Sequence, residues 1–114
     1  MFRNDIWQNI PRGSRLEVKV KATPGVRCEV HGFFNSPQDE HDDDIDCPHH
    51  KQHQLVPGRS VLTVVGHVHN AGSLTITATL HTSDESAHPG SPLTVTLPSS
   101  SGHSGGIHLV LVVP

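Results

Sequence analysis

Leu74-Thr75-Ile76-Thr77-Ala78-Thr79-Leu80-His81 alternates apolar and polar side chains through its whole length. A period of two sends Leu74, Ile76, Ala78 and Leu80 to one face and the threonines with His81 to the other. That is the signature of a half-buried strand, and β-branched residues suit its extended backbone. The pattern recurs on both sides. Leu16, Val18 and Val20 alternate with Glu17, Lys19 and Lys21; Val26, Cys28, Val30, Gly32 and Phe34 alternate with Arg27, Glu29, His31 and Phe33. Leu62, Val64, Gly66 and Val68 alternate with Val61, Thr63, Val65, His67 and His69, and Leu93, Val95 and Leu97 with Thr94 and Thr96. Ile107 to Val113 is apolar on both parities except at His108. Such a strand lies in the middle of a core or is covered by something outside the domain.

Turn chemistry fills the intervals: Thr23-Pro24-Gly25, Asn70-Ala71-Gly72, residues 83–92 and residues 98–106. The spacing predicts an all-β chain, a single β-sandwich of six to seven antiparallel strands, immunoglobulin-like or jelly-roll. The seventh strand depends on whether Gln54 to Val56 pairs. A chain of 114 residues holds one domain. It divides into an amino-terminal arm, 1–13, and the sandwich, 14–114, with 35–54 inserted as a long acidic, His-rich loop.

Composition removes several functions. Lys and Arg number 8 against 11 Asp and Glu, without the basic excess of a nucleic-acid binder. No apolar run approaches the roughly 18 residues of a membrane span. Gly102-His103-Ser104-Gly105-Gly106 sits between strands and reads as a flexible turn rather than a nucleophile elbow. With no His-Glu-x-x-His and no phosphate-cradling glycine loop leading into a helix, no enzyme is expected. Met1 to Val20 is charged throughout and does not read as a secretory leader. Cys28 and Cys47 allow one bridge at most and leave the redox compartment open.

Asn35 to Gln54 is too long for a hairpin link, and structureless loops of that length are usually functional or disordered. Cys47, His49, His50 and His53 offer thiolate and imidazole donors suited to Zn or Cu, and the 49/53 spacing would join two imidazoles on one turn. Cys28 and His31 face opposite ways on their strand and join such a set only through a bulge. Asp42, Asp44 and Asp46 repeat in a manner that suggests calcium. An EF-hand, however, needs Gly and Glu where Cys47 and His53 stand. The remaining reading is a solvated acidic–His loop, with Cys28 a buried thiol or the disulfide partner of Cys47 in an oxidising medium. That plainer reading sets the expectation of no cofactor, with Zn or Cu as the alternative. His67 and His69 lie on one strand face at a spacing known from metal sites, though outward histidines beside threonine also make ordinary sheet surface.

Phe2, Ile6, Trp7 and Ile10 fall at i, i+4, i+5 and i+8, one face of a short helical turn that Pro11 and Gly13 would end. So brief a helix must pack on something. It either caps its own sandwich or docks on a neighbour, and docking is the expectation. The expected interface comprises Phe2, Ile6, Trp7, Ile10, Val110 and Val112. Beyond Arg59 no Lys or Arg occurs, and only Asp84 and Glu85 are acidic. A surface so short of charge suits contact better than free diffusion.

In size, leaderless start and fold class the chain is similar to the small β-sandwich decoration proteins that stud tailed-phage heads. What the resemblance implies is a non-enzymatic structural protein of a virion, acting as cement between subunits. Its partners would be protein subunits of a larger assembly, in a homo-oligomer or a capsid shell, with no nucleic acid and no membrane. The alternatives are a His-rich Zn or Cu module, or a partner-binding domain of a surface or secreted system. Protonating all 11 histidines would carry the formal net charge from −3 to +8, so association should change between about pH 7.5 and 5.5.

Overall fold

Strands account for the whole regular structure of the described residues. They are β1 (Phe2–Trp7), β2 (Arg15–Ala22), β3 (Cys28–Asn35), β4 (Glu40–Asp44), β5 (His49–Gln54), β6 (Gly58–Val68), β7 (Leu74–His81), β8 (Leu93–Leu97) and β9 (Ser104–Val113). The structure is a computed structural model and describes residues 1–100 and 102–114, with the backbone alone at Asp43. Ser101, within the turn expected over 98–106, lies outside the described residues.

Two sheets pack against each other. The larger runs β1-β9-β6-β3-β4 and the smaller β5-β2-β7-β8. Neighbours are antiparallel except β1, which runs parallel to β9. The alternation read from the sequence decides which side chains meet between the sheets. Leu16, Val18, Val20, Leu74, Ile76, Leu93, Val95 and Leu97 come from the smaller sheet, and Val30, Phe34, Leu62, Val64, Val68, Ile107, Leu109, Leu111 and Val113 from the larger. Burying each such side chain contributes roughly 1.5–3 kcal/mol. Gly66 occupies a core-facing position because nothing larger fits: a Cβ there would stand 2.7 Å from Leu74 Cδ2.

The strand count corrects the expectation of six to seven, and the extra strands come from two segments. The arm is not a helical turn. β9 is apolar on both faces and would otherwise leave an unpaired edge, so the arm extends and fills it, from Phe2 opposite Gly106 to Trp7 opposite Leu111. Backbone pairing outweighs a six-residue helix that could not hold itself. The loop 35–54 is not structureless either. Its first part folds back on β3 as β4, its last part pairs with β2 as β5, and residues 45–48 cross from one sheet to the other. Ile45 is tucked against the core during that crossing. Gly32 makes room for it, since a Cβ there would stand 2.6 Å from Ile45 Cδ1.

Candidate functional site

The outward face of the larger sheet is where apolar side chains remain uncovered. Register places Phe2, Asn4 and Ile6 of β1 beside Gly106, His108 and Val110 of β9. Val61, Thr63 and Val65 of β6 then lie opposite Val110, His108 and Gly106. Asn35, Phe33 and His31 of β3 continue the row, and β4 closes it with Asp42 and Asp44. Phe2 is 55 % exposed, Ile6 59 % and Val65 38 %. Val110 is only 6 % exposed yet does not belong to the core cluster. Its burial comes from the outer side, where Ile6 and Val61 flank it. The result is an aliphatic and aromatic centre with a polar margin, the arrangement of a protein interface.

The expected interface residues divide. Phe2 and Ile6 stand on this outer face, as do Val110 and the half-buried Val112. Trp7 and Ile10 do not: both are fully buried in the core of their own chain. Alternation along β1 makes the split, because a strand turns Ile6 and Trp7 to opposite sides where a helix would have grouped them. The Trp7 indole N–H donates to Asp5 Oδ2 at 3.0 Å, which satisfies its polar edge. Val61, Val65 and Phe33 were missing from the expected set. Their signal lay in the same alternation, where they occupy the outward parity opposite Leu62, Val64 and Phe34.

Histidine–carboxylate pairs surround the margins. His31 Nε2 lies 2.5 Å from Asp42 Oδ1 and its Nδ1 3.1 Å from Asp44 Oδ1. The hydrogen bond to Asp44, with the charge of Asp42 beside it, raises the imidazole above its usual 6.5. His69 reaches Glu29 at 3.4 Å, and its ring meets the edge of His67 at 4.6 Å between centroids. His67 in turn bonds to the Ser104 hydroxyl. On the outer face of the smaller sheet, Glu17 accepts from His81 at 3.2 Å and from His50 at 2.5 Å. These two bonds, His81 first, pull the carboxyl down to about 2.

The expected metal ligands are dispersed by the strand that replaces the loop. His49 and His53 share the inward parity of β5, but four residues of strand hold them about 13 Å apart. His50 points the other way to Glu17, and Cys47 Sγ lies 3.3 Å from Cys28 Sγ. His53 stacks on Phe34 with centroids 4.1 Å apart. Asp42 and Asp44, offered for calcium, turn to His31. Among the described residues no three His, Cys, Asp or Glu side chains are grouped as a metal ion requires. No family model, curated protein or solved structure matches the chain.

Proposed function

We propose that the protein is a non-enzymatic structural component that assembles with other protein subunits through the outer face of the larger sheet. Its specific form would be a decoration or cement protein on a virion shell such as a tailed-phage head, built on a sandwich of immunoglobulin-like or jelly-roll kind. One observation carries the reading: Phe2, Ile6 and Val65 stand exposed on a single sheet face around Val110, which is buried outside the core. Water gains nothing from that arrangement, whereas a partner subunit would bury all of it. A face on the order of 20 by 30 Å follows from strand spacing and length. That is of the same order as the roughly 800 Å² each partner gives to an interface of standard size.

Charge is the sharpest probe of such a face. A double variant, Ile6→Lys with Val65→Asp, changes two exposed positions and leaves the core untouched. Sedimentation velocity should show the native chain associating and the variant monomeric, with identical far-UV circular dichroism. A native chain that stays monomeric at several hundred micromolar, and that is not retained by empty capsid shells in a binding assay, overturns the proposal.

A further inference from the structure

The two cysteines lie far apart in sequence but their sulfurs meet where the crossover leaves β4. The β3–β4 register pairs His31 with Asp44, and the Ile45 N–H donates to the Val30 carbonyl at 2.8 Å. Past the end of that ladder the crossover between the sheets brings Cys47 to Cys28. The sulfurs are 3.3 Å apart, both thiols are free and half-buried, and both pack against the core cluster. Closing the remaining gap to a bond of about 2.05 Å takes a movement of only about 1.2 Å between the sulfurs.

We propose that Cys28 and Cys47 are a modification site, closing to an intramolecular disulfide when the chain meets a small disulfide oxidant such as oxidised glutathione. One protein thiol loses its proton and attacks a sulfur of the oxidant. A mixed disulfide forms, and one glutathione thiolate leaves and takes up the proton. The second protein thiol, deprotonated in its turn, attacks the protein-side sulfur of that adduct and expels the other glutathione. The protein gives up two protons and two electrons, and the oxidant takes them up to become two thiols. Burial, followed by the neighbouring Cys28, pushes the Cys47 thiol up to about 12, so uncatalysed closure quickens as the medium becomes alkaline.

The bond would tie the start of β3 to the crossover between the sheets. It closes a segment whose ends are 19 positions apart and which contains β4. A loop of that length restricts the unfolded chain enough to raise the thermal midpoint by on the order of 10 °C.

The full chain, reduced and freed of reductant, is incubated with oxidised glutathione at pH 8.5 and read by intact mass, thiol alkylation and thermal melting. The expected product has lost two hydrogens, resists alkylation, runs as a monomer without reductant and melts higher, and dithiothreitol reverses all of this. Cys47→Ser should stop at the glutathione adduct with no such rise. Thiols that remain open to alkylation, cross-linked dimers, or a closed form that melts no higher than the reduced one would each overturn the inference.

Discussion

His53 is kept neutral by its surroundings. Its ring lies on Phe34, and burial brings its titration down to about 4, helped by the charges of Lys51, His41 and His49 and opposed by Asp39. An unfolded chain takes up this proton near 6.5. Between those two values the unfolded state binds more protons than the folded one, so stability falls as pH drops from 6.5 to 4. The loss should reach on the order of 2 kcal/mol and then level off. Two other groups act in different windows. Glu17, drawn down to about 2, contributes stability that is lost only as pH falls from 4.5 through 2. His31, raised above 6.5, contributes fully below that value and loses its contribution as pH rises through its own titration. Replacing His53 by Phe keeps a ring on Phe34 and removes the titrating group. Denaturant midpoints measured from pH 7 to 4 should slope for the native chain and stay nearly flat for the variant. Equal slopes would show that His53 is not the residue responsible.

At the scale of the element, β1 does two jobs with adjacent residues. Trp7 belongs to the core, and Ile6 belongs to the outer face. Truncating Trp7 to Ala should therefore destabilise the isolated fold by about 3–5 kcal/mol, whereas Ile6→Lys should change it by less than about 1 kcal/mol. Chemical denaturation of the two single variants separates these outcomes, and equal losses would mean that β1 does not alternate as described. The same strand shows how far the sequence could be read. Where alternation ran long, as from Leu74 to His81, strand and buried face followed directly from the residues. In β1 the spacing of Phe2, Ile6 and Ile10 suits a helix as well as it suits nothing in particular. What selects the strand is the unpaired edge of β9, about a hundred residues further along, and no local window contains that. β4 and β5 were illegible for a related reason. Glu40–Asp44 and His49–Gln54 have no apolar alternation, being edge strands whose pairing depends on the partners β3 and β2. The candidate ligands 49, 50 and 53 failed with that segment, because their grouping assumed a turn.

The molecule as a whole, 42 × 26 × 20 Å, has one wet face and one dry one. The smaller sheet turns Arg15, Glu17, Lys19, Thr75, Thr77 and Thr94 outward, polar groups that pair with neighbours, as Glu17 does with His50 and His81 and Arg15 with Gln52. The larger sheet turns out Phe2, Ile6, Val61, Val65 and Val112, which water does not favour. Histidines stand among those apolar residues, and their partners differ. Carboxylates meet His31 and His69, but His108 bonds to the Thr63 hydroxyl at 3.0 Å and His67 to Ser104. A hydroxyl neutralises no positive charge. A proton taken up there adds charge to the face on which association is proposed to rest, and a charge without a counter-ion is costly to bury. Association should therefore weaken by roughly tenfold or more between pH 7.5 and 5.5. Sedimentation velocity at the two pH values reads this directly, with the Ile6→Lys, Val65→Asp variant as the control that stays monomeric at both. If the native profiles superimpose while the variant is dissociated, these histidines lie outside the contact, and the interface is confined to the β1 side of the sheet.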